Sequence, residues 1–212
     1  DEINRLTNSA KKSGKRFTIL PLIFRWSCTY NFTGHANILI FDFKQNTVER
    51  FEPYGYVSTF TKNETLVSDN FNALFKELVD KLKLNLKYVN HKQLTKKGPQ
   101  FLEEMQVEKR NNLYNDNDPE GFCGAWSLWY ADLRMSNPQT EPDTLINSAL
   151  RGISIMQKNK FRIFIRSYSK YLVKERYKFL KKIKQKNPYN YKLKEQLFSL
   201  EDKKTTIEQM LK

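Results

Sequence analysis

Gly34-His35-Ala36-Asn37-Ile38-Leu39-Ile40-Phe41-Asp42 is the stretch on which the fold turns. Four consecutive apolar residues between polar neighbours are too few for a core helix and read as a buried strand. Lys44-Gln45-Asn46 follows as a turn, and Thr47 to Glu52 returns as a second strand, closed by Pro53-Tyr54-Gly55. Upstream, Phe17 to Trp26 is apolar and β-leaning, with Pro21 marking an edge or a bend because proline cannot donate to a ladder. Residues 1–15 are a polar, Lys-rich lead-in.

Working outward, the period changes. Phe71, Leu74, Phe75, Leu78 and Leu82 fall at helical spacing over Asp69 to Leu84, with Asp69 as the expected N-cap. Leu86 to Val89 is a short strand, followed by a polar loop containing Gly98-Pro99. Helices are expected from Cys123 to about Met135, from Asp143 to Gln157, from Phe161 to Lys184, and from about Tyr191 to Leu211. A β-hairpin and mixed strands followed by consecutive helices define an α+β chain, with a mixed sheet packed by helices and a C-terminal helical extension. The boundary is expected between 1–157 and 158–212.

The charge supports that division. Of a net +14, the segment from Arg151 to Lys212 holds 18 Lys/Arg against five Asp/Glu, while the first 150 residues are nearly neutral. With 39% hydrophobic residues, 212 residues can bury a real core, and seven glycines and seven prolines exclude a linker-dominated chain. No apolar run is long enough to span a membrane. Two cysteines, Cys28 and Cys123, neither form a disulfide scaffold nor stand at metal-ligand spacing, so no metal or cofactor is expected and the implied compartment is reducing and intracellular.

Cysteine chemistry needs a thiolate, a base and donors for an oxyanion. Cys123 follows Asp118-Pro119-Glu120-Gly121-Phe122 and precedes the apolar Gly124-Ala125-Trp126, which puts the sulfur at a helix N-terminus. There the dipole and backbone N–H groups favour a negative sulfur. His35 opens the buried strand and is one of two histidines, the other being His91 in a polar loop. Glu52 ends the returning strand and reaches the histidine only if the strands are staggered or lie beside a third one. Asp42 and Asn37 are the alternative orienting groups.

The order of His35, an acid 17 residues later, and a cysteine at a helix start resembles the SUMO and ubiquitin-like protein proteases and the adenovirus-type proteases, one superfamily of cysteine peptidases. The blocks are Gly34 to Asp42, Val48-Glu49-Arg50-Phe51-Glu52-Pro53-Tyr54-Gly55, and Gly121-Phe122-Cys123-Gly124-Ala125-Trp126. Their wording is similar to uncharacterised thiol proteases of large nucleocytoplasmic DNA viruses. The resemblance covers roughly residues 17 to 135. It implies a papain-like core, Cys123 as nucleophile, His35 as base and Glu52 as the orienting acid. The implied substrate is a protein, either a ubiquitin-like modifier or a viral precursor, and the implied location is host cytoplasm or virion. Glu52 stands where the family usually has Asp or Asn. Ala36 stands where an aromatic often roofs the substrate channel, a role left to Trp26 or Trp126. The family's oxyanion Gln is missing before the cysteine, so Gln100 takes that part, with Arg110 to Glu120 as an insertion and Asn117 as the local alternative. Bacterial effector acetyltransferases resemble the same superfamily and use His-Glu-Cys, and a non-catalytic basic scaffold is a further alternative.

From Lys158 to Lys186 there are 12 basic residues and one acid. Arg162, Arg166, Lys170, Lys174 and Lys178 belong to a series at every fourth residue, and Phe161, Phe164, Tyr168, Leu172, Phe179 and Ile183 form a companion apolar face. Two readings stand: a non-specific surface for nucleic acid or another polyanion, or a solvated helix packed on the core.

Overall fold

A computed structural model of the chain describes residues 2–28, 31–56, 62–108, 122–156 and 160–186. The helix expected from Tyr191, the proposed insertion and Asn117 lie outside the described residues, as do the side chains of Trp26 and Cys28. The described elements are α1 (Glu2–Lys12), β1 (Phe17–Cys28), β2 (Asn31–Asp42), β3 (Thr47–Phe51), α2 (Lys62–Lys81), β4 (Lys87–Val89), α3 (His91–Leu94), α4 (Pro99–Glu108), α5 (Cys123–Ser136), α6 (Pro142–Ile155) and α7 (Lys160–Lys186). The fold is α+β.

The sheet runs β1-β2-β3-β4, antiparallel except for the parallel pairing of β3 with β4. Ile38, Leu39, Ile40 and Phe41 are all fully buried because β2 is covered on both faces. Ile38 and Ile40 join Trp126, Tyr130, Ile146, Phe161 and Ile165 from α5, α6 and α7. Leu39 and Phe41 join Val48, Val79, Leu82 and Leu84 on the other face. Alternation along one strand therefore feeds two cores. Pro21 lies in β1, an edge strand, where its missing N–H costs least.

Several expectations shift. β2 begins at Asn31, so His35 lies within the strand rather than at its start. α2 begins at Lys62, which places Asp69 inside the helix, where it pairs with Lys92 at 2.6 Å instead of capping. Leu74 is exposed. The polar loop around Gly98-Pro99 contains two helices, α3 and α4, and His91 is buried against Asn72.

Helix α5 is clamped to the sheet at its far end. Arg134 and Glu49, both fully buried, meet at 2.7 Å, and Tyr130 donates to Glu49 at 2.8 Å. At the near end, the Trp126 indole donates to Glu103 of α4 at 2.9 Å, and Arg162 of α7 pairs with the same carboxylate at 2.6 Å. One carboxylate thus ties three helices just behind Cys123.

Candidate active site

The site forms where the sheet narrows. The last pair between β2 and β3 is Ile38 with Phe51, so β2 from Asn37 back toward Asn31 is paired only with β1. Into the side that β3 has left comes the N-terminus of α5, and the backbone N–H of Ala36 donates to Cys123 Sγ at 3.4 Å. Gly124 faces Ala36 closely: a Cβ on it would stand 4.0 Å from that of Ala36, an ordinary van der Waals contact.

Continuing the register puts Glu52 opposite Asn37 and diagonal to His35, a spacing long side chains bridge. The carboxylate Oε1 lies 2.6 Å from His35 Nε2 and also accepts from the Tyr54 N–H at 3.1 Å. With Nε2 engaged, Nδ1 is the nitrogen left for the sulfur, and His35 and Cys123 are near enough for each to shift the other's pKa. His35 within β2, Glu52 just past the end of β3 and Cys123 at the start of α5 are brought together from distant parts of the sequence.

The electrostatics favour a charged pair. Burial opposes charge on His35, but hydrogen bonds to Cys123 and Glu52, with their negative charges, outweigh it and raise its pKa to about 10. Burial also opposes the thiolate, yet the bond to His35, the Ala36 and Gly124 N–H groups and the imidazolium charge hold the Cys123 pKa below its ordinary value. Glu52 is likewise held below the usual carboxylate range: burial raises it, and His35, Arg50 and the Tyr54 N–H outweigh that.

Tyr54 is a site residue that residue type and spacing do not single out, although it lies in the second of the three blocks. Its ring centre is 5.5 Å from that of His35, and its hydroxyl donates to Glu104 at 2.5 Å. The turn carrying it is stapled to Gly98 and the first turn of α4: Gly98 N–H donates to Tyr54 O at 2.8 Å and Gln100 N–H to Pro53 O at 3.0 Å. Gly55 (φ +72°) and Gly98 make this crossing possible, since a Cβ at Gly98 would overlap Pro53 O.

The other residues singled out from the sequence lie as follows. Gln100 is buried, and its amide donates to Tyr54 Oη at 3.2 Å and Glu104 at 3.3 Å, so its donor is engaged in holding Tyr54 and Glu104. Trp126 is fully buried, one turn beyond Cys123 and stacked on Phe164, which makes it core rather than a substrate wall. Trp26 lies opposite Thr33 in β1, and its side chain is outside the described residues. Arg162 is buried on Glu103, over the Phe122 ring, and cannot reach a polyanion. Arg166 is half-buried, whereas Lys170, Lys174 and Lys178 are exposed. No cluster of His, Cys, Asp or Glu among the described residues could hold a metal ion.

An ankyrin repeat protein of Acanthamoeba polyphaga mimivirus is 32% identical over 168 residues, covering 76% of this chain and 21% of the relative. The chain spans about a fifth of that protein's length. No family model and no solved structure matches. This finding overturns membership of the SUMO-protease and adenovirus-protease superfamily, and with it the function of protease or deubiquitinase acting on a ubiquitin-like modifier or viral precursor. The physical reason is that Cys, His and an acid recur on unrelated folds, so three short blocks carry chemistry without carrying ancestry. No helix among the described residues is long and apolar enough to cross a membrane.

Proposed function

We propose that this chain is a thiol-dependent hydrolase module acting on an acyl group, in a protein that engages protein partners. The observation that carries the chemistry is the 2.6 Å bond between the His35 imidazole and the Glu52 carboxylate, with Cys123 Sγ held by the N–H of Ala36, next to His35 in the chain. A thiol at the start of a helix packed on the strand that bears the base is a papain-like layout, and it is proposed as the organisation of the site, separate from any peptidase activity. The protein-partner element comes from the mimivirus relative, since ankyrin arrays present extended stacked surfaces to partners. The described residues themselves form a sheet between helices, unlike the paired helices of an ankyrin array.

In this reading the Cys123 thiolate attacks the acyl carbon, and the His35 imidazolium gives its proton to the leaving group as the acyl–leaving-group bond breaks. Water then attacks the thioester, His35 takes a proton from it, and the carboxylic acid departs with the thiolate restored. Glu52 stabilises the imidazolium, and backbone N–H groups of the first turn of α5, which has no side-chain cap, face the developing oxyanion. Acid-quenched reaction with activated p-nitrophenyl esters, read by intact mass, tests this: an acyl adduct on Cys123, abolished in Cys123→Ala, is expected. An identical adduct level in the variant, or none in either protein, sinks the reading.

We also propose polyanion binding by α7. Lys170, Lys174, Lys178, Lys181 and Lys182 are exposed and, at about 100° per residue, fall within an arc of about 120°. Their shared face, where Lys178 pairs with Glu175, favours non-specific phosphate contact.

A further inference from the structure

A buried carboxylate tends toward its neutral form, and a neutral Glu52 could not stabilise an imidazolium. Glu52 is 8% exposed. In the catalytic cycle proposed above, its bonded partner His35 is only intermittently charged: it is an imidazolium in the resting pair and a neutral imidazole once the leaving group has its proton. Something else must hold the carboxylate ionised across that interval.

Arg50 is placed to do so. It stands two residues before Glu52, on the same face of the strand, and is 2% exposed. Its Nη2 is 3.6 Å from Glu52 Oε2, the oxygen that His35 does not use. The rest of the fork is anchored: Nε donates to Asn37 Oδ1 and Nη1 to Asn72 Oδ1, each at 3.0 Å. Phe24 and Phe75 enclose the guanidinium carbon at 6.0 and 5.6 Å from their ring centres. Residues from β1, β2 and α2 thus fix one cation whose charge persists at every working pH.

We propose that Arg50 is a positioning residue of this site, a permanent countercharge that keeps Glu52 ionised and aimed at His35 through both protonation states of the imidazole. The inference rests on the thiol-hydrolase reading. Neighbouring titratable groups do not duplicate the part. Burial, then the Arg50 charge, lowers His91 of α3 to about 4, and burial raises Tyr88 of β4 to about 12, so both are neutral near pH 7. Lys92 of α3 is paired with Asp69 of α2. Tyr54 offers Glu52 only its backbone N–H.

The test is a carbon-13 NMR titration of Glu52 in the full chain carrying His35→Gln, which keeps a hydrogen-bond donor and removes the intermittent charge. Glu52 is expected to titrate below the ordinary 4.5 in that background. Adding Arg50→Met should raise it by about one unit or more, and Arg50→Lys should reverse most of that rise. A merely structural arginine would lower stability and leave this titration where it was. A Glu52 that titrates above 4.5 in His35→Gln alone overturns the proposal, and that result does not depend on the Arg50 variants folding. An Arg50→Met variant that folds with Glu52 unmoved overturns it as well. Failure of the hydrolase reading shows separately, as an ordinary thiol profile for Cys123 in wild-type alkylation by iodoacetamide against pH.

Discussion

At Cys123 the surroundings favour a negative sulfur by more than burial opposes it. Two N–H groups and an imidazolium act on one thiol that is only half-exposed. Alkylation by iodoacetamide should therefore stay fast well below the ordinary thiol pKa of about 8.5, and His35→Ala should restore a steep fall through that value. The upper edge of the charged pair lies near pH 10, where His35 loses its proton. The signs for stability follow. His35 binds its proton more tightly folded than unfolded, so its contribution is full below 6.5 and fades as pH rises toward about 10. Glu52 has a lowered pKa, so its contribution is present above 4.5 and fades as pH falls. Glu52→Gln should lower kcat by about a hundredfold or more with little change in KM, since the charge acts on the transition state. A change confined to KM would make Glu52 a substrate contact. At this scale His35, Glu52 and Cys123 were legible in the sequence because the chemistry needs those residue types. Arg50 and Tyr54 were not, because each acts through a neighbour that only the register brings within reach.

Among the elements, the crossing of the turn after β3 with the segment before α4 sets where Tyr54 and Glu52 stand. On a rigid backbone, Gly98→Ala drives a methyl group into the Pro53 carbonyl. A destabilisation of about 3 kcal/mol is expected, at the upper end for overpacking, together with a drop in Cys123 reactivity. Urea unfolding and the alkylation rate measure the two effects, and a wild-type value for both would mean the crossing opens without consequence. On α7, reversing the charge at Lys170, Lys174 and Lys181 should flatten the salt dependence of DNA binding, by about 0.9 log units per log unit of salt for each phosphate no longer neutralised. An unchanged slope removes the lysine face as the binding surface. The repeating series in the sequence overstated that face: its first member, Arg162, is spent inside the core on Glu103. Charge alone does not say which cations of a helix have a buried acid waiting on a neighbouring one.

For the whole molecule, the decisive observation is that the basic helix begins within the core. Phe161 is 2% exposed and Ile165 is fully buried, and both lie in the cluster that covers Ile38 and Ile40. A chain ended at Lys158 lacks these side chains and leaves Glu103 without Arg162. Breaking a buried pair costs about 3–5 kcal/mol and removing a core aromatic about as much, which together approach the stability of a whole domain. Such a chain is expected to lack a cooperative thermal transition by circular dichroism. A sharp melt near the wild-type temperature would show that α7 is dispensable.

What the sequence determined by itself was whatever depends on residue type and short period. The apolar run at 38–41 read as a buried strand, the proline of β1 pointed to an edge or a bend, and the Pro/Gly approach to the thiol pointed to a helix start. Those are local consequences of sterics, hydrogen bonding and hydrophobic spacing. Tertiary structure alone decided which residues became neighbours. It put Trp126 in the core instead of the cleft, turned Gln100 toward Tyr54, buried His91, and set Arg50 beside Glu52. Each outcome follows from register, from where β3 stops, and from which helix packs on which face of the sheet. Those are long-range contacts, and no window of sequence contains both partners.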